Sequence, residues 1–121
     1  MELKLESQET LEKIIDSNIY VIGTGDTLDN NNAFEMVQII TNAHANGFKF
    51  VLIDMSKLEF LSSAGVGSIL GTVENFRENN GDIILCDVPD PIVHILNILD
   101  LEDYFTIKSN IQNVINEIKS S

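Results

Sequence analysis

Residues 48–73 read FKFVLIDMSKLEFLSSAGVGSILGTV, and three kinds of pattern follow one another within them. Phe48 to Ile53 is a nearly continuous apolar run, as expected of a strand buried on both faces. Asp54 to Leu61 is a connection in which Leu58 and Phe60 are expected to pin the turn into the core. From Ser63 onward Val66, Ile69, Leu70 and Val73 recur at helical spacing, which predicts an amphipathic helix. A buried strand, a short turn and a helix in this order make one unit of an α/β layer fold.

The same alternation extends in both directions. Upstream, Leu3 and Leu5 alternate with charged residues and suggest a short first strand with one wet face. Ile19 to Ile22 reads as a second strand that ends at Gly23 and Gly25. A loop, DTLDNNN, follows, and Asn32 with Glu35 fits a helix-start capping pattern. Val37, Ile40 and Ala43 then share a face, and Gly47 stops the helix. Downstream, Asn79, Asn80 and Gly81 end the helix that begins near Ser63. Ile83 to Cys86 predicts the next buried strand. Asp90 can cap a third helix with Pro91 at its first position and Ile92, Ile95, Leu96 and Leu99 on its core face. Tyr104 to Ile107 predicts a short last strand, and Asn110 caps a final helix with Ile111, Val114, Ile115 and Ile118 inward. The order β-β-α-β-α-β-α-β-α argues for a single α/β domain over residues 1–121. It would have a mixed, mostly parallel sheet packed with about four α-helices, the first strand pairing antiparallel at an edge.

Composition narrows the function. Lys plus Arg number 7 against 19 Asp plus Glu, a formal net charge of -12. Such a surface repels a phosphate backbone and anionic lipid headgroups alike. No nucleic-acid or membrane partner is expected; a protein with a basic face is, the charge speeding encounter more than setting affinity. No apolar run reaches the roughly 20 residues that span a bilayer, and no secretory signal is visible, so a cytoplasmic location is expected. Cys86, the one cysteine, reads as a small buried hydrophobe.

No enzyme constellation emerges. His44 and His94, the only histidines, lack metal-ligand spacing and read as solvated helix residues. There is no G-x-S-x-G elbow and no G-x-x-x-x-G-K-[ST] loop, and Gly23-x-Gly25 lacks a third glycine. No catalytic residue, metal or cofactor is expected. The informative stretch is Leu58 to Gly67, at the carboxyl end of the sheet, where ligand and partner sites gather in open α/β folds. Ser62 or Ser63 stands at or near the helix N-cap. Gly65 and Gly67 each cost about 1 kcal/mol relative to Ala in a helix, which suggests close backbone approach, inside the fold or by a docking partner. Spacing alone supports an ordinary capping serine beside two packing glycines.

Residues 53–67, IDMSKLEFLSSAGVG, resemble the signature of STAS domains, specifically of bacterial anti-sigma factor antagonists. Gly25 to Asp29 resembles that family's G-x-L-D turn with one residue inserted. Residues 90–93 and 99–105 resemble its third helix and following turn. The resemblance implies a phosphorylation-controlled binding module without catalysis of its own. Its unphosphorylated form would bind a partner that is both serine kinase and anti-sigma factor, freeing a sigma factor. Phosphorylation would switch binding off, and a metal-dependent serine phosphatase would reset it. Matched residue by residue, the phosphorylated serine falls on Ser63. The family's preceding Asp falls on Ser62, which offers an alternative hydroxyl, and its following Ser or Thr falls on Ala64. Asp29 matches the turn aspartate beside the phosphosite. Asp29, Asn30, Ser62, Ala64, Gly65 and Gly67 are the expected partner-binding residues, and the chain is expected to be a monomer or weak dimer. A second reading is a scaffold or accessory STAS domain in a stress-sensing or transporter-associated complex.

Overall fold

A computed structural model describes residues 11–14 and 18–120. The elements are β1 (Leu11–Ile14), β2 (Ile19–Gly23), β3 (Thr27–Leu28), α1 (Ala33–Ala45), β4 (Phe50–Asp54) and β5 (Phe60–Leu61). They continue with α2 (Ser63–Arg77), β6 (Asp82–Cys86), α3 (Asp90–Ile98), β7 (Thr106–Lys108) and α4 (Ile111–Lys119). The main sheet has the order β1-β2-β4-β6-β7. Its last four strands run parallel, and β1 pairs antiparallel with β2, Leu11 opposite Gly23 and Ile14 opposite Tyr20. The α/β class, the mixed and mostly parallel sheet and the four helices are as the sequence predicts. The antiparallel edge strand lies at Leu11–Ile14. The strand expected around Leu3 and Leu5 falls outside the described residues.

The apolar runs owe their continuity to burial on both faces. In β4, Val51 and Ile53 face one core and Leu52 faces the other; in β6, Ile83 and Leu85 oppose Ile84 and Cys86 in the same way. The larger core lies beneath α1, α2 and α3, through Met36 and Ile40, Val66, Ile69 and Phe76, and Ile92 and Leu96. The smaller is closed by Val114 and Ile115 of α4. Cys86 is fully buried, and burial, reinforced by Asp87 and then Asp54, pushes its thiol up to about 12. It packs as the expected small hydrophobe and is unreactive as a nucleophile at neutral pH.

Termini follow local chemistry, with corrections. Gly47, at φ +89°, stops α1 as expected. Asn110 caps α4, its side chain accepting from Asn113 N at 3.1 Å. The Asp87 carboxylate adds bonds from Asn110 N (2.6 Å) and Ile111 N (3.2 Å), joining the end of β6 to the start of α4. In α3 the cap is Pro89, so Asp90 and Pro91 sit one position further into the helix than expected. Proline at either early position is tolerated because the first N–H groups have no helical acceptor. Leu99 is the C-cap of α3 and is 40% exposed, so it leaves the predicted core face. The last strand begins at Thr106, because Tyr104 and Phe105 close a turn through N–H bonds to Leu101 O. His44 is half-buried, stacked edge-on against Phe76 (5.2 Å) with Nε2 2.8 Å from Asn79 Nδ2. It stitches α1 to the end of α2, where a solvated residue was expected.

Candidate functional site: the turn before helix α2

The predicted loop at residues 26–32 and the connection before α2 are joined by a second, two-stranded sheet that the sequence does not announce. β3 pairs parallel with β5, Thr27 opposite Phe60 and Leu28 opposite Leu61. Asp26 O accepts from Glu59 N at 2.8 Å and from Phe60 N at 3.0 Å. Leu28 and Leu61 are buried, and Leu58 anchors the turn from below. Phe60 does not: it is 53% exposed. In a strand of two residues one side chain goes in and the next comes out, and here Leu61 takes the inward place.

Ser62 is the N-cap of α2, with extended backbone (φ -94°, ψ 164°). Its Oγ accepts from Gly65 N at 3.1 Å, satisfying one of the first-turn donors that an isolated helix leaves open. Its backbone N–H donates to Leu28 O at 3.0 Å. Gly65 presses on that same carbonyl: a Cβ there would stand 2.6 Å from Leu28 O. Gly65 therefore makes the close approach expected of it, inside the fold. A Cβ on Gly67 would meet nothing within 4 Å, and Gly67 is exposed, so no packing inside the fold demands a glycine there. Ser63 is the first residue of the helix proper, and Ser63 and Ala64 are exposed.

Directly after Leu28 comes the turn that carries Asp29 and Asn30. Asp29 Oδ1 accepts from Asn31 N at 2.8 Å, and Asp29 O accepts from Ala33 N at 2.8 Å. Asn32 holds this turn together. It is 4% exposed, accepts from Asp29 N at 2.9 Å and donates to Thr27 O at 2.9 Å. It makes no side-chain cap bond into α1, so the Asn32–Glu35 spacing reads correctly as a helix start while its side chain works backwards on the preceding turn. The fold thus brings Ser62 and Gly65 onto the Leu28 carbonyl, with Asp29 and Asn30 directly after Leu28, Ser63 and Ala64 between the two contacts, and Gly67 further along α2 on its exposed face. Asn32, which braces this turn, and the exposed Phe60 and Phe34 beside it are not among the residues that the sequence singles out for partner binding. The run Asp29-Asn30-Asn31-Asn32 just before the helix is the one signal the sequence offers for Asn32.

The surroundings are acidic, with Asp26 and Glu59 exposed and Asp29 half-buried. His44 lies at the other end of α2, and His94 is exposed on α3. Among the described residues no group of three or more His, Cys, Asp or Glu side chains gathers to hold a metal ion. No helix among them is long and apolar enough to cross a membrane.

Comparison with known proteins supports the fold. The STAS domain family model matches residues 10–114. The anti-sigma-B factor antagonist of Staphylococcus aureus is 22% identical over 93 residues, covering 77% of this chain and 86% of that protein. The solved structure of the anti-sigma factor antagonist SpoIIAA in its unphosphorylated form superposes with a TM-score of 0.82 at 17% identity, covering 93% and 97% of the two chains. The phosphorylated form of the Bacillus cell fate determinant SpoIIAA gives 0.74 at 18% identity, covering 90% and 98%.

Proposed function

Because the chain belongs to the STAS domain family, we propose that it is an anti-sigma factor antagonist controlled by phosphorylation of Ser63. In its unphosphorylated form it binds a protein that is both serine kinase and anti-sigma factor, and so frees a sigma factor. A metal-dependent serine phosphatase removes the phosphate and resets it. The chain itself is the regulated partner and performs no catalysis.

The observation that carries this reading is the division of labour between two adjacent hydroxyls. Ser62 Oγ is half-buried and holds the Gly65 N–H. Ser63 is exposed at the first position of α2 and offers its hydroxyl to an incoming kinase. The family's aspartate at the cap is replaced by serine, yet the cap role is preserved, which argues that Ser62 stands in for that aspartate and not for the phosphoacceptor.

Phosphorylation adds about -1.5 to -2 charges. At Ser63 they fall beside first-turn N–H groups and the positive end of the helix dipole, so the fold tolerates them. The partner does not. A hydrated dianion replaces a hydroxyl next to Ala64 and Gly67, on a surface already acidic through Asp29. Burying it unpaired costs several kcal/mol, while about 1.4 kcal/mol is already tenfold in affinity. The switch is therefore steric and electrostatic at the interface, with little change of global fold. Treating the chain with its kinase and mapping the modified residue by mass spectrometry tests this. Phosphate on Ser63, retained in Ser62→Ala and absent from Ser63→Ala, is the expected result. Modification confined to Ser62 would overturn the assignment.

A further inference from the structure

Four large hydrophobic side chains stand exposed among the described residues: Phe34, Phe60, Ile98 and Leu99. Single exposed apolar residues are ordinary. Two of these four, however, are aromatic and lie at the same end of the molecule as Ser63. Phe60 is on β5, two residues before the Ser62 cap, and is 53% exposed. Phe34 is in the first turn of α1, two residues after the Asn32 that ties the Asp29 turn to Thr27, and is 70% exposed. Thr27 in turn faces Phe60 across the small sheet. Helices α1 and α2 both start at the carboxyl ends of their parallel strands, so Phe34, Phe60 and Ser63 project from one end of the fold.

We infer that Phe34 and Phe60 are the apolar anchors by which the serine kinase holds this chain, each entering an apolar pocket rimmed by basic side chains, with Ser63 presented at the same end of the fold. The inference rests on the proposed function and adds to it the residues that supply the binding energy. Aromatic side chains anchor protein interfaces because they bury a large area with few rotatable bonds. Asp26, Asp29 and Glu59 outnumber the exposed Lys57 in the turns that carry Phe60 and lead to Phe34, and on a chain of net charge -12 this calls for a basic rim on the other side. The same charge disfavours a lipid surface or a nucleic acid as the occupant. Phe34 lies outside the turn that carries Ser63 and Phe60 lies three residues before it, so the apolar contacts and the switched hydroxyl are carried by different residues.

The test titrates the purified serine kinase of the same organism with unmodified wild type, Phe34→Ala, Phe60→Ala and, as a control at the distant end of α3, Ile98→Ala. Phe34→Ala and Phe60→Ala should each weaken binding at least tenfold, with Ile98→Ala within twofold of wild type. Phosphorylation of Ser63 should need correspondingly more substrate to half-saturate the kinase, with the saturated rate kept. Phe34 is a surface residue, so its variant keeps the fold, and an unchanged circular dichroism spectrum and melting point establish this for both. If the kinase binds wild type and both variants equally, the inference falls and the proposed function stands. If kinase binding is equal while Phe34→Ala abolishes a self-association seen by sedimentation, the surface serves a second copy and the inference is likewise overturned. A kinase that neither binds nor modifies wild type overturns the functional reading and this inference with it.

Discussion

The two ends of helix α2 handle their polar groups to opposite effect. At the carboxyl end, polar groups bond one another across neighbouring elements. Arg77 donates to Asp82 Oδ1 at 3.0 Å and to Tyr104 O at 2.7 Å, and its guanidinium lies 4.9 Å from the centre of the Tyr104 ring. Thr106 donates to the other oxygen of Asp82, and Tyr104 donates to Glu74 at 2.7 Å. That bond to Glu74, more than any other influence, raises the Tyr104 hydroxyl above its ordinary pKa. This end ties α2 to β6 and β7. At the amino end a single serine closes the cap, a glycine lets the helix abut Leu28, and the next serine is left exposed. The first arrangement makes the helix a fixed platform. The second keeps one hydroxyl available at its tip.

That contrast can be broken from either end. The largest loss of stability is expected from Arg77→Ala. It strips Asp82 of its charged partner and costs about 2–3 kcal/mol, read by urea denaturation. Phosphorylation of Ser63 in the folded fraction should stay at the wild-type rate, because nothing at the amino end has changed. Gly65→Ala comes next. Its methyl group must displace the Leu28 carbonyl, a cost of about 1–3 kcal/mol that the better helix propensity only partly offsets. Because β3 moves with Leu28, this variant should also lose kinase affinity. Ser62→Ala removes the cap and should cost about 1 kcal/mol in the same denaturation experiment, with the phosphate still accepted at Ser63. The smallest effect has the opposite sign. Gly67→Ala meets open space and should stabilise the fold by up to about 1 kcal/mol. A stabilised Gly67→Ala beside a destabilised Gly65→Ala would separate the glycine the fold needs from the one it does not.

The main sheet was legible in the sequence because β4 and β6 are buried on both faces, which writes burial as an unbroken apolar run. Helices α2 and α4 were legible from their periodicity and from Ser62 and Asn110 at their starts. What escaped was short or context-dependent. β3 and β5 have two residues each, too few to show an alternation, so the small sheet that assembles the site could not be read. For the same reason the pattern cannot tell that Leu61, and not Phe60, turns into the core. Asn32 has the spacing of a forward cap, yet hydrogen bonds within its own turn hold its amide toward Thr27 and Asp29. At the site, spacing supported a capping serine without choosing between two neighbours. Only the extended backbone of Ser62 and its bond to Gly65 N divide their roles.

The central claim is that a charge at Ser63 acts on binding and leaves the fold alone. Titrating the purified kinase with wild type and with Ser63→Asp, alongside a melting curve for each, tests it most directly. The account predicts at least a tenfold loss of affinity for Ser63→Asp, with a melting point equal to or above that of wild type. Equal affinity for the two proteins would contradict it.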